Sequence, residues 1–558
     1  MALEQADFTD ICSLLETRAH VQGSRLFLRH VQDDAIQTRS FLQLHIQALR
    51  LMHAIRDAVP KGARVLLGLS NPCEFVETFF ALLYAGCIPV PIAPLRRKST
   101  LAPLESIAAA SGAAVAIVDA PLLAQWREGS AAMPTLSIPV RLLCPADFTA
   151  LPDNGNGLPQ RAAADDIAFL QFTSGSTSAP KGAVVTHRNL LANQRLIQAE
   201  FGHTADTAFA GWLPLHHDMG FIGNVLQPLY LGIPTTLLSP MAFLERPARL
   251  LQAISHYRAT TCGMPNFGYA HCIARVRDAE LAGVDLSSWQ VAFNGAEPIR
   301  PHTLQAFAER FAPWGFRRES LYPCYGLAEA TLFVAGWRSG IPWAERERPA
   351  EDGGATAAPS VASGYLNNVQ DVRIVDPATR LGCAPGTVGE IWIGGACIVR
   401  GYWNLPAQTT EAFGARLQDG SGPFLRTGDL GFVVDGQLHV TGRLKDLIIV
   451  RGKNHYPQDI EASIGAGSPA FGDAACFMAD EQDDDRIVVV QEIHRTDIRT
   501  GDPKAWRLLI NDIVARQHQL AVADVQFVLP NAIPRTTSGK IQRRKCRTLY
   551  QRGELQVI

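Results

Sequence analysis

The chain has 558 residues, more than one hydrophobic core organises, so at least two domains are expected. It is 47% hydrophobic and 19% charged with a formal net charge of −2, which provides no global basic field for nucleic acid or an anionic membrane. Eleven cysteines, odd in number and without Cys-x2-Cys pairs, point to reduced thiols in a cytoplasmic protein rather than a disulfide framework or zinc site.

Along the chain, the acidic start Met1–Asp10 lacks the basic and then apolar order of a signal peptide. Strand-like runs then alternate with amphipathic helical stretches. Arg64–Leu69 is followed by a helix over Glu74–Tyr84, a strand at Ile88–Ile92, a helix near Leu101–Ala110 and a strand at Ala114–Val118. This alternation predicts α/β layers with much parallel sheet. The longest apolar tract, Thr78–Leu95, is broken by Gly86, Pro89, Pro91 and Pro94, so it predicts a buried helix running into a Pro-rich turn, with no stable membrane insertion. Ile167–Phe172 and Ala183–Val185 are strand-like, and Asn189–Glu200 and Pro301–Phe311 are helical, the second opened by its proline. Ala335–Gln370 lacks periodicity and is expected to be a loop or insertion. Strand character returns at Val372–Val375 and Gly389–Ile393. A boundary falls near Gly442–Asp446, beyond which the chain restarts as a small α+β unit. That unit should contain strands at Leu447–Val450, Ile487–Val490 and Val525–Leu529, helices near Gln458–Ile464 and Ala505–Gln517, and a last helix after Gly539.

Between the strand-like runs at 167 and 183, one loop gathers Thr173, Ser174, Gly175, Ser176, Thr177, Ser178 and Lys181. Glycines allow successive N–H groups to face inward, hydroxyls add donors and lysine adds charge, a combination suited to a polyphosphate. The Walker spacing is absent, and a Ser/Thr-rich turn is the alternative. Near the end, Thr536-Thr-Ser-Gly-Lys540 places a lysine after a turn and before a basic helix. Such a lysine can be presented to a charged intermediate, or can be a basic surface turn. Tyr325-Gly-Leu-Ala-Glu329 offers an aromatic face and a carboxylate, and Thr427-Gly-Asp429 a carboxylate able to accept from a ribose, each weak alone.

Taken in order with Leu215-His-His-Asp-Met-Gly220, Asn294-Gly-Ala296 and Gly442-Arg443, these motifs resemble the acyl-adenylate-forming superfamily over essentially the whole chain. Trp212–Gly223, Gln227–Tyr230, Met264–Phe267, Phe293–Pro298 and Leu447–Glu461 look most like its fatty acyl-AMP ligases. The resemblance implies an α/β fold with a large multi-subdomain N-terminal domain, 1–444, and a small, mobile α+β C-terminal domain, 445–558. It implies ATP-dependent activation of a fatty acid to acyl-AMP, followed by transfer to the phosphopantetheine thiol of an acyl carrier protein acting in trans. ATP and Mg2+ would be the cofactors.

By the same resemblance, Thr173 to Lys181 would hold the outgoing pyrophosphate and Glu329 the metal. Tyr325, beside Gly326, would stack on adenine against the backbone of Asn294, Gly295 and Ala296. Asp429 and Arg443 would hold the ribose. Lys540 would bridge the incoming carboxylate and the α-phosphate, with His217 near the thiol entry and Lys445–Asp446 as the hinge. Phe221, Gly223, Met264 and Asn266 would line the acyl pocket, though an apolar wall is equally core. The segment 335–370 is shorter than the insertion usual in this branch, which keeps an acyl-CoA synthetase as the alternative. A binding protein that lost catalysis is disfavoured by the co-occurrence of Lys181, Glu329, Asp429 and Lys540.

Overall fold

The computed structural model describes residues 8–32, 35–96, 101–128, 136–149, 158–173, 180–347, 359–450, 453–479, 486–536 and 540–558. Its largest sheet has eight strands in the order Phe333–Gly336, Leu321–Gly326, Val291–Asn294, Thr261–Met264, Phe209–Gly211, Thr235–Leu238, Leu26–Gln32 and Ala35–Ser40. Its inner pairs are parallel and its two outermost pairs antiparallel. A second, all-parallel sheet runs Ile88–Pro91, Arg64–Gly68, Val115–Val118 and Arg141–Leu143. Pro89 and Pro91 therefore lie in the strand expected at Ile88–Ile92, and the Pro-rich turn also expected of that tract does not form there. The strand is an edge, and the ladder takes its N–H groups from Ile88, to Ala63 O at 2.8 Å, and Ile92, to Leu67 O at 2.9 Å, so the prolines between them interrupt nothing.

The helix Pro72–Tyr84 is wedged into the main core. Asn71 caps it by accepting from Cys73 N and Glu74 N, proline occupies its first turn, and all its residues but Glu74 are buried. Its Phe79 ring meets Phe221 at 4.5 Å and Phe169 at 5.8 Å between centroids, and Phe75 meets Phe221 at 5.4 Å. Each such buried phenylalanine contributes roughly 1.5–3 kcal/mol by removal from water. The cluster fixes two elements that lead to the site: the antiparallel hairpin Ile167–Thr173/Lys181–Thr186, and the π-helix Met219–Leu226 that follows His216-His217-Asp218.

A four-stranded antiparallel sheet follows, Asp371–Val375, Gly389–Gly394, Leu425–Val434 and Gln437–Arg443. Part of the expected loop at 335–370 is ordered, with Glu345–Glu347 pairing antiparallel to Pro359–Val361. After the turn Leu444–Asp446 comes the hairpin Ile448–Val450/Lys453–His455. A three-stranded sheet, Phe471–Met478, Ile487–Ile493 and Val522–Val528, then packs with helices Pro457–Ala466, Pro503–His518 and Arg543–Gln551. Phe471–Met478 was not among the predicted strands, because its Gly-Asp-Ala-Ala-Cys centre has little β-propensity of its own. The fold is thus mixed α/β with a smaller C-terminal α+β part. Among the described residues no helix is long and apolar enough to cross a membrane.

Candidate active site

The candidate residues stand at strand ends and the turns leaving them. Leu321–Gly326 delivers Tyr325, whose buried hydroxyl donates to Asp429 Oδ2 at 2.7 Å across 104 residues of sequence. A Cβ on Gly326 would lie 1.9 Å from Leu332 O, so only glycine allows the chain to close on itself there. Asp429 and Arg443 are cross-strand partners, with Arg443 Nε donating to Asp429 Oδ1 at 3.0 Å. The carboxylate of Asp429 raises the Arg443 pKa further above its ordinary value, against the effect of burial.

The Thr427-Gly-Asp429 turn is itself held. Asp429 N donates to Thr427 Oγ1 at 3.0 Å, Thr427 Oγ1 to Ile391 O at 2.7 Å, and Gly428, at φ +71°, donates its N–H to the buried Glu390 Oε1 at 3.2 Å. Arg426 and the Trp392 indole satisfy the remainder of the Glu390 carboxylate. Glu390 thus fixes the backbone that presents Asp429.

Lys181 begins a hairpin strand, opposite Thr173 in register. Its Nζ lies 4.9 Å from the centroid of the Tyr402 ring, and Tyr402 Oη donates to Glu329 Oε1 at 2.8 Å. Ser174, Gly175, Ser176 and Thr177 fall outside the described residues.

Lys540 is tied to Thr536 by two hydrogen bonds: Thr536 N donates to Lys540 O at 2.8 Å, and Lys540 N to Thr536 Oγ1 at 3.0 Å. The protein around it, and then Arg443, pull its ammonium pKa below the ordinary lysine value, while Asp218, Asp429 and Glu297 oppose that pull. The side chain remains solvent-exposed, so water screens part of the effect. Asp218 and Glu297 are the acidic neighbours that motif reasoning passed over. Burial raises both above the usual carboxylate range, and the Lys540 charge holds each back. Asp218 Oδ1 accepts from Met219 N at 2.7 Å, and Glu297 accepts from Phe267 N.

The remaining candidates occupy the same region with different surroundings. Asn294 is wholly buried, with no hydrogen bond to either side-chain amide atom among the described residues. Gly295 packs where a Cβ would sit 2.9 Å from Cys324 Sγ, and Ala296 adopts φ +71°, a left-handed conformation rare for alanine. His217 N donates to Pro214 O at 3.1 Å and its ring lies 4.3 Å from that of His216, whose buried imidazole is held neutral by burial. Of the expected pocket residues, Phe221 is inside the aromatic core and Met264 is fully buried under Gly268. Asn266 spends its amide on Arg300 N and Thr303 Oγ1. Gly223 has room: an added Cβ would meet only Leu332 Cδ2, at 3.7 Å.

Three cations, Lys181, Arg443 and Lys540, thus converge with carboxylates and a buried aromatic hydroxyl. That combination suits a polyphosphate ester carrying a sugar. Glu329 Oε2 carries no hydrogen bond among the described residues, and a free carboxylate oxygen is the hard donor Mg2+ prefers.

The chain matches the family model "AMP-binding enzyme" over residues 15–403 and the model "Disco-interacting protein 2-like, AMP domain" over 445–558. It is 37% identical over 575 residues to the medium-chain-fatty-acid–[acyl-carrier-protein] ligase JamA of Moorena producens, covering 99% of this chain and 97% of that one. It is 40% identical over 539 residues to the ligase TtuA of Teredinibacter turnerae, which bears the same description, covering 87% and 84%. The structure of a fatty acyl-adenylate ligase from Legionella pneumophila, in complex with acyl adenylate and pyrophosphate, superposes with a TM-score of 0.75 at 36% identity, covering 98% of this chain and 96% of that one.

Proposed function

This chain belongs to the AMP-binding enzymes, in their fatty acyl-AMP ligase branch, and from that premise we propose that it activates a fatty acid with ATP and passes it to a carrier-protein thiol. In the first half-reaction the fatty carboxylate attacks the α-phosphorus of ATP, the bond to the β-phosphate oxygen breaks, and acyl-AMP and pyrophosphate form. In the second, a phosphopantetheine thiolate attacks the acyl carbon, AMP leaves, and a thioester remains. The observation that carries the proposal is the meeting of Lys540, from the C-terminal part, with the Tyr325–Asp429–Arg443 cluster that precedes it in the chain.

Two anions must approach each other in the first step, so preorganised positive charge is what lowers its barrier. Lys540 bridges the carboxylate and the α-phosphate. Asp429 and Arg443 hold the ribose, and Tyr325 packs on adenine beside the backbone of Asn294, Gly295 and Ala296. Lys181 and the hydroxyl loop from Thr173 hold the departing pyrophosphate. Glu329 would hold Mg2+, which when bound would neutralise charge on the phosphates. Residues 445–558 form the mobile domain, which turns about Lys445–Asp446 to withdraw Lys540 and admit the thiol past His217. The acyl chain enters beside Gly223, where an added Cβ would find room, and the names of the relatives support medium length. All eleven cysteines are unpaired, which supports a reducing, cytoplasmic setting.

The test is to incubate the pure protein with ATP, Mg2+ and a panel of fatty acids, with either CoA or a holo carrier protein, and to identify products by mass spectrometry. Acyl-AMP and acyl-carrier without acyl-CoA are expected. Rapid acyl-CoA formation would instead make this a CoA synthetase, the alternative that the short 335–370 segment keeps open.

A further inference from the structure

Tyr402 stands between two charged groups of the proposed phosphate site, yet no motif or charge pattern singles it out. Its hydroxyl donates to Glu329 Oε1 at 2.8 Å, and its ring lies 4.9 Å from Lys181 Nζ. The backbone around it is laced to the strand that begins with Lys181: Val184 N donates to Gly401 O at 2.9 Å, Arg400 N to Val184 O at 3.1 Å, and Trp403 N to Gly182 O at 2.8 Å. The same segment reaches the Glu329 turn, where Val399 N donates to Glu329 O at 3.0 Å. Behind the ring, Tyr402 N donates to Thr409 Oγ1 at 2.9 Å and Phe413 packs edge-on at 5.2 Å. Gly401 adopts φ +138°, and a Cβ there would lie 2.4 Å from Thr409 Cγ2, so the approach to Tyr402 is built for glycine alone.

We propose that Tyr402 is a positioning residue of the adenylation step, orienting Glu329 through its hydroxyl and seating the Lys181 ammonium on its ring before the nucleotide arrives. With Oε1 committed to Tyr402, the carboxylate rotates less and offers Oε2 to the metal. A cation–π contact keeps the ammonium near a carboxylate without a direct ion pair, and is weak enough to be exchanged for a phosphate. The proposal rests on the function argued above, since it assigns Glu329 and Lys181 to MgATP.

Two variants separate the two contacts. Tyr402→Phe keeps the ring, the Lys181 seat and the Phe413 contact, and removes only the hydroxyl. It should raise the Mg2+ concentration for half-maximal acyl-AMP formation by about 10–100-fold, the fold-change equivalent of one hydrogen bond to a charged group. The ATP KM at saturating Mg2+ should change far less. Tyr402→Leu should in addition weaken binding of a non-hydrolysable ATP analogue in calorimetry, with and without Mg2+. Calorimetry needs no turnover, so it reports on Tyr402 even if the fatty acid or carrier assignment is wrong. A purely architectural tyrosine would give lower melting temperatures and lower kcat in both variants, with unchanged Mg2+ dependence and analogue affinity. That result would overturn the proposal.

Discussion

Replacing Lys540 by alanine removes a cation that the C-terminal part brings to Asp218, Glu297 and Asp429. A unit charge about 4 Å from a developing phosphate charge is worth ~4 kcal/mol at an effective dielectric of ~20. Because Lys540 is solvent-exposed, roughly half of that is the more realistic loss, which still lowers the rate about 30-fold. The assay is ATP–pyrophosphate exchange with a saturating fatty acid, alongside transfer from preformed acyl-AMP to a holo carrier protein. Exchange should collapse while ATP binding and transfer persist. The pH profile adds an independent check. The ammonium is the active form and its pKa lies below the ordinary lysine value, so wild-type exchange should fall on the alkaline side earlier than an unperturbed lysine would dictate. Lys540→Arg, which stays protonated, should lose that alkaline limb whatever its absolute rate. Near-normal exchange in Lys540→Ala would refute the bridging role, and an alkaline limb that survives in Lys540→Arg would assign it to another group.

Asp429→Ala strands both the Tyr325 hydroxyl and Arg443, and should raise the ATP KM at least tenfold in steady-state kinetics while leaving fatty acid KM nearly unchanged. Lys445→Pro should slow thiol transfer more than pyrophosphate exchange, and equal loss of both would argue against domain alternation. Gly326→Ala drives a Cβ into Leu332 O and should cost about 3 kcal/mol or more, read as a lower melting temperature and poor recovery. Stability should also fall on mild acidification. Burial depresses the folded-state pKa of His203 to about 3 and that of His187 to about 4, so between pH 6.5 and those values the unfolded chain binds more protons and stability rises with pH. Replacing His203 by Gln should flatten the melting temperature against pH in that window, and an unchanged slope would count against the assignment.

The sequence by itself determined the alternation of strands and helices, the smaller α+β part at the C-terminal end, and the ordered motifs that name most of the candidate residues. These are short-range properties. A turn that leaves a strand needs its glycine and its polar residue within a few positions, so Tyr325-Gly-Leu-Ala-Glu329 and Thr427-Gly-Asp429 are visible without any coordinates. The helix Pro301–Phe311 matched its predicted bounds because proline and apolar spacing mark both ends locally.

Only the tertiary structure decided which of these residues meet. The Tyr325–Asp429 bond and the Tyr402–Glu329 bond span 104 and 73 positions, and no local pattern encodes such pairings. Asp218 and Glu297 sat inside quoted motifs yet carried no signal, because a carboxylate's neighbour in space is set by the packing of separate elements. Phe221 looked like a pocket wall and lies in an aromatic core, since hydrophobicity is the same whether a side chain faces a ligand or its own protein. The strand at Ile88–Pro91 was legible in the sequence but its place at a sheet edge was not: proline is excluded from a ladder only where its nitrogen faces a partner, and which side has a partner is a property of the whole sheet.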